Sequence, residues 1–382
     1  MYAYSYLNTA RSILERYHGE LPFAAWLNDF FRKEKKYGSK DRKQISHLCY
    51  CYFRGANALK HLNPEQQIIW SLFLCSPGPN PLLGALDEAL NHRAALPLEE
   101  KLLTAEPPVL LQNVFPWKDE LSEAVSYNGL CRSIFSQPDL FLRIRPGRKE
   151  KVTEALEAAG ASFEFEGDDC LRLPNTTKLQ DLVALDEDVV VQDRNSQRTL
   201  DALPATFFQQ KLKVWDCCAA SGGKSMLLLD RAGKVQLLAT DIRASILHNL
   251  TKRFEKAGIK NYRTRVYDVS KERLNESFDL VICDAPCSGS GTWSRTPEQL
   301  FFFNGKKIGH YAALQKGILI NAAASVKPAG YLLYITCSVF KKENEAAVDF
   351  VLHNTALELL SQQYLTGYEN KADTLFTALF KL

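Results

Sequence analysis

The chain has 382 residues, of which 46% are hydrophobic and 24% charged, with a formal net charge of +3. That is ordinary globular composition and length enough for two or three domains. No stretch approaches the ~18 apolar residues of a membrane span. MYAYSYLNTARSILERY lacks the basic and apolar regions of a secretion signal. A cytoplasmic protein with no membrane partner is expected. The small net charge does not by itself imply nucleic-acid binding.

Residues 1–128 read as all-helical. Phe23, Trp26, Leu27, Phe30 and Phe31 recur at helical spacing, as do Ile45, Leu48, Cys49, Tyr52 and Phe53. SPGPNP at residues 76–81 punctuates the helices. RKEKKYGSKDRK at residues 32–43 carries seven basic and two acidic side chains. That density suits phosphate contact or a solvated helix face. Residues 129–195 read as α+β. LFLRIR alternates between two faces, a helix carries Val152, Ala155, Leu156 and Ala159, and short strands follow near Phe163–Phe165 and Leu171–Leu173. Arg143 and Arg145 would point off one face of the small sheet, either to hold RNA or as surface charges.

Residues 196–382 alternate strand and helix. KVWDCC, VQLLATD, YRTRVYD, FDLVICDAP and YLLYITCS read as buried strands of a largely parallel, doubly wound sheet. Such sheets bind ligands beyond the carboxyl ends of their strands. The first strand ends in DCCAASGGKS, a glycine turn before a helix N-terminus. A phosphate-binding P-loop would need a glycine where Cys218 stands, so that reading is poor. The second strand ends at Asp241, placed to accept a ribose diol, and the third at Asp268, placed to face an adenine. Asp is also common at helix N-caps, but successive acidic strand ends favour a nucleoside ligand.

Ten cysteines are present with no CxxC pair, so neither a zinc site nor any other metal is expected. In a reducing compartment they are free thiols, most of them small buried apolar residues. Cys217 and Cys283 fit that description. Cys218 lies on the glycine loop and would meet a ligand through its backbone. Cys287 in DAPCSGSG and Cys337 in TCS differ, because both follow strand ends and converge on the glycine loop.

DAPCSGSG with TCS downstream and CAASGGK upstream resembles the Nop2/Sun/RsmB family of RNA cytosine-5 methyltransferases. QDRNSQ at 192–197, ENE at 343–345 and the terminal DTLFTALFKL are similar to further family motifs. The family's glycine loop usually reads AAPGGK, and Ser221 stands here in place of its proline. The resemblance implies a Rossmann-like S-adenosylmethionine-dependent methyltransferase domain at 196–382, built on a mostly parallel seven-stranded sheet. It implies a ferredoxin-like RNA-binding domain at 129–195 and a NusB-like RNA-binding domain at 1–128. It implies that Cys337 attacks C6 of the cytosine, that Cys287 assists release and that Asp284 serves N3 while bordering the methyl donor. Cys218, Ala219, Ala220, Ser221, Gly222, Gly223 and Lys224 would wrap the methionine part of the cofactor, Asp241 the ribose and Asp268 the adenine. The expected partner is RNA, first the 16S ribosomal RNA and second transfer RNA, met by a monomer. DNA cytosine-5 methyltransferases share the chemistry but lack a cysteine after strand five. A non-catalytic RNA-binding assembly factor is the alternative outside enzymology.

Overall fold

The aromatic recurrences near the N-terminus fold as helices. The computed structural model describes residues 2–382. In it Phe23–Lys33 buries Phe23, Leu27, Phe30 and Phe31, and Ser39–Gly55 buries Ile45, Leu48, Cys49, Cys51 and Phe53. Asn63 and Asn80 cap the next two helices, accepting from the N–H groups of Gln66 and Leu83 at 2.9 Å each, and each helix begins with proline. Several charges of the basic stretch serve neighbours. Arg32 and Lys33 pair with Asp29, and Arg42 donates to the Tyr37 carbonyl oxygen and covers the Phe31 ring.

The chain divides into two compact units. The first comprises residues 2–119, Ser126–Gln137 and Trp293–Gly305; the second comprises Glu120–Val125, Pro138–Thr292 and Lys306–Leu382. Within the first unit, the buried Arg54 guanidinium donates to the Ser294 carbonyl oxygen and to Gln137 Oε1, both at 2.7 Å. Trp293 packs with Phe115, Trp117 and Phe303 there. Thus a short segment that follows the DAPCSGSG loop belongs to the core of the helical unit.

The second unit contains two sheets. The smaller has the strand order β2-β3-β1-β4, with β1 Leu140–Ile144, β2 Glu164–Phe165, β3 Cys170–Leu173 and β4 Val189–Val191. Leu142, Ile144, Leu171 and Leu173 pack on Val152 and Leu156 of helix Lys149–Ala158. The strand β4, a run of three valines, was not among the expected elements. The two arginines of β1 and its exit depart from both readings of them. Arg143 is only 4% exposed; it donates to Asp230 at 2.6 Å and to Gln192 at 2.9 Å. Arg145 donates to Asp230 at 2.8 Å and to the Ala257 carbonyl oxygen at 2.7 Å. They neither stand free for RNA nor serve as surface charges. Arg143, buried, and Arg145, half-buried, both lie against Asp230 on helix Gly223–Arg231, because guanidinium groups drawn out of water require a carboxylate between them.

The larger sheet has seven strands in the order β10-β11-β9-β8-β5-β6-β7. They are β5 Lys211–Asp216, β6 Lys234–Asp241, β7 Tyr262–Val266, β8 Phe278–Asp284, β9 Val326–Thr336, β10 Glu358–Leu365 and β11 Leu375–Lys381. Strands β7, β6, β5, β8 and β9 run parallel, while β11 is antiparallel to both β9 and β10. This is a Rossmann-like, mostly parallel arrangement. Two cores cover its faces. One holds Val214, Met226, Leu237, Leu250 and Ile282; the other holds Trp215, Cys217, Val281, Cys283 and Tyr334. The third strand stops at Val266, so Asp268 lies in the loop two residues beyond it. Neighbours reverse on either side of β5, which places the switch point at the end of β5 beside β8.

Removing Asp230 leaves one buried and one half-buried guanidinium group without that counter-charge. Asp230→Ala is expected to lower the unfolding free energy by about 3–5 kcal/mol, read by urea denaturation; a loss no larger than that of an exposed ion pair would remove this role.

Candidate active site

Asp216 ends β5, and the chain then turns through residues 217–222 into helix Gly223–Arg231. The neighbouring strands shape the turn. Cys217 N–H donates to the Ile282 carbonyl oxygen at 2.9 Å, Ala219 N–H to that of Thr240 at 2.8 Å, and Ala220 N–H to Asp241 Oδ2 at 3.1 Å. Gly222 has φ +82°, and a Cβ there would lie 2.8 Å from the Phe254 ring, so only glycine fits. A Cβ on Gly223 would meet open space. In place of proline, Ser221 is gripped by Arg253, whose guanidinium donates to its carbonyl oxygen at 2.9 Å and its hydroxyl at 3.1 Å. Arg253 in turn pairs with Asp186 at 2.8 Å.

A cavity of about 310 Å³ opens on this turn. Ala219, Ala220, Ser221, Gly223 and Lys224 line it, and Asp284 and Cys337 face them. Gln192, Asp193 and Ser196 of the QDRNSQ segment close one side. Cys218, Gly222, Asp241, Asp268 and Cys287 do not line this cavity. Cys287 lies next to it, with its sulfur 3.3 Å from that of Cys337. Cys218 is half-buried and packs against the core that holds Cys217 and Cys283. Asp241 is buried and accepts from the Arg243 N–H at 2.9 Å and its Nε at 3.1 Å. Asp268 accepts from the Ser270 N–H at 3.1 Å and hydroxyl at 2.5 Å. Between these two aspartates the strand ends expose large apolar groups: Ile242 is 61% and Val266 is 55% exposed.

The charges are arranged around the two sulfurs. Lys224 Nζ lies 2.5 Å from Asp284 Oδ2. Burial works against its ammonium, but Asp284, Cys337 and Asp216 hold it above the ordinary lysine range. A cation is thereby kept in the cavity that Cys337 lines. The Cys287 thiol is driven far up, first by its hydrogen bond to Cys337 and then by burial. Cys287 is thereby held as a thiol, in hydrogen-bond contact with the Cys337 sulfur. The Gly291 N–H donates to the Cys337 carbonyl oxygen at 2.8 Å. A Cβ on Gly291 would fall 2.0 Å from the Thr374 carbonyl oxygen, so this approach also needs glycine.

Two further residues of the site were not singled out in the sequence. Asp216 satisfies the same strand-end criterion as Asp241. It is buried, accepts from Ser225 Oγ at 2.6 Å, and its second oxygen has no partner. Arg253 carries no local signal, since it is one basic residue on an amphipathic helix.

Residues 205–377 match the family model described as 16S rRNA methyltransferase RsmB/F. The chain is similar to the ribosomal RNA small subunit methyltransferase B of Xanthomonas campestris, at 32% identity over 193 residues, which are 49% of this chain and 44% of that one. It is similar to the protein so named in Pasteurella multocida at 28% over 319 residues, 76% of this chain and 71% of that one. With the one from Klebsiella pneumoniae the match spans 63% of the relative. The chain thus spans between under half and about 70% of these relatives' length. Among solved structures, PH0851 superposes with a TM-score of 0.69 at 20% identity over 93% of both chains. NSun6 from Pyrococcus horikoshii, solved with SFG, superposes at 0.60 and 16% identity over 71% of this chain and 96% of that one. At these identities the two structures establish the shared fold.

Burial raises the Asp216 carboxyl to about 7 from an ordinary 3.8. A raised folded-state value means stability present below the ordinary carboxyl range and lost as pH rises through about 7. The stability of Asp216→Asn relative to the native chain should therefore improve by about 2 kcal/mol between pH 5 and pH 8. Equal differences at both pH values, by denaturant titration, would contradict it.

Proposed function

We propose that this chain, whose residues 205–377 match the family model described as 16S rRNA methyltransferase RsmB/F, transfers a methyl group from S-adenosylmethionine to C5 of a cytosine in RNA. The observation that carries this reading is the pair of sulfurs 3.3 Å apart at the edge of the cavity that holds Lys224 and Asp284. C5 of cytosine is a poor nucleophile. A thiolate added at C6 makes the ring an enamine that is nucleophilic at C5. Cys337 is the attacking group, since it lines the cavity together with Lys224 and Cys287 does not. Asp284 borders the same space and serves N3 of the base. Cys287, held as a thiol, assists release of Cys337 once C5 has lost its proton.

The residues fit the cofactor. The turn from Cys218 to Lys224 leaves open space at Gly223 for the methionine part, and the unpaired oxygen of Asp216 offers an acceptor to an ammonium group. Asp241 serves the ribose and Asp268 the adenine edge. The exposed Ile242 and Val266 supply apolar walls for the ring between them. When bound, S-adenosylmethionine supplies the electrophilic methyl group. The target cytosine must leave its stack to enter, so an unpaired or flipped base is the substrate form. The division into a NusB-like domain at 1–128, a ferredoxin-like domain at 129–195 and the catalytic domain at 196–382 belongs to this proposal. The names of the similar proteins favour the small-subunit ribosomal RNA as substrate.

Bisulfite sequencing of RNA from cells lacking the protein should show one lost 5-methylcytosine; no loss in any RNA counts against the enzyme. Cys337→Ala should abolish both methyl transfer and covalent adduct. Cys287→Ala should accumulate a protein–RNA adduct that migrates slowly on a denaturing gel. An adduct in Cys337→Ala instead would reverse the two roles.

A further inference from the structure

The ENE segment beyond Cys337 takes no part in attack, release or cofactor binding as described. Its first two side chains are nevertheless fully buried, and they reach in different directions. Glu343 reaches the loop of Cys287. Its Oε2 accepts the Ser288 N–H at 2.8 Å and the Gln315 Nε2 at 3.3 Å. Gln315 Nε2 also donates to the Pro286 carbonyl oxygen at 3.0 Å. The residues on both sides of Cys287 are thereby held. Asn344 reaches the loop of Cys337. Its Oδ1 accepts the Thr336 hydroxyl at 2.5 Å, and its Nδ2 donates to the Ser338 carbonyl oxygen at 2.8 Å. The residues on both sides of Cys337 are held as well. The Tyr334 hydroxyl donates to the Glu343 carbonyl oxygen at 2.6 Å and fixes the backbone between the two grips.

We propose that Glu343 and Asn344, with Gln315, are positioning residues that form one clamp, setting the loops of Cys287 and Cys337 so that the two sulfurs stand 3.3 Å apart. The use made of the two sulfurs rests on the proposed function; the clamp itself is a property of the fold. A serine cluster seals the same gap, with Ser288 Oγ 3.0 Å from Ser290 Oγ and 3.2 Å from Ser338 Oγ. Burying this much polarity is costly unless its geometry is needed. Glu343 Oε1 and Gln315 Oε1 are both buried without partners. Burial also raises the Glu343 carboxyl, which favours the neutral acid. Glutamine at 343 keeps its volume and an oxygen for Ser288 N–H. Alanine keeps neither.

The sulfur spacing can be read without catalysis. The full chain is equilibrated with mixtures of glutathione and glutathione disulfide. The Cys287–Cys337 disulfide is then quantified by peptide mass spectrometry. Its formation passes two electrons to glutathione disulfide and releases two molecules of glutathione. Glu343→Ala and Gln315→Ala should each lower the equilibrium constant by about ten-fold, and Asn344→Ala should do the same, as expected when two thiols lose their fixed proximity. Glu343→Gln should stay within about three-fold of the native chain. Should Glu343→Ala fail to fold, Gln315→Ala and Asn344→Ala carry the same test. Constants unchanged in the folded alanine variants overturn the clamp, as does a glutamine variant that falls as far as alanine. A native chain that shows these shifts yet makes no 5-methylcytosine would retain the clamp and lose the proposed function.

Discussion

The parallel pairing of β8 with β9 is the constraint on which the site depends. Asp284 stands opposite Ile335, so the two strands end together and release Cys287 and Cys337 side by side. A slip of one residue would displace one loop against the other by about 3.3 Å, a distance equal to the whole sulfur separation. Register is held because both strands are covered on both faces. Val281, Ile282 and Cys283 on one, and Leu332, Leu333, Tyr334 and Ile335 on the other, are all buried. A slip would exchange the members of two packed cores.

The same edge gathers charge that would be unfavourable in isolation. Lys224, Asp284 and Asp216 line one small cavity. The lysine stays charged because carboxylates surround it, and contact with the Cys337 sulfur together with burial keeps Cys287 a thiol. Chemically similar cysteines thus meet different surroundings. Cys217 and Cys283 are buried in the core on one face of the sheet, with Cys218 packed against it.

The smaller sheet bears on the site through the helix that begins at Gly223. Asp230 lies on that helix and receives both Arg143 and Arg145 from the smaller sheet. Asp186, in the turn before β4, orients the Arg253 that grips Ser221. The turn is therefore restrained by hydrogen bonds anchored on the segment that leads into the smaller sheet's β4.

Much of this was legible before any fold was known. Strand-end aspartates, glycines and cysteines share a local signature, because parallel sheets present their carboxyl edges to ligands whatever the rest of the chain does. That signature singled out Cys287, Cys337 and Asp241, of which Cys337 lines the cavity, Cys287 adjoins it and Asp241 does not line it; Asp284 and Lys224 were named through the family resemblance, and helical periodicity located the N-terminal helices. The fate of Arg143 and Arg145 was not legible, since alternation in β1 assigns a side of the strand but not what covers that side. Gln315 and Arg253 carried no signal either, being single polar residues on helices far along the chain from their partners. The sequence by itself determined which chemical groups stand at strand ends, because that follows from local pattern. Only the tertiary structure decided that Cys287 and Cys337 touch, which charges surround them and which side chains hold them there, because strand order and register arise from packing across the whole sheet.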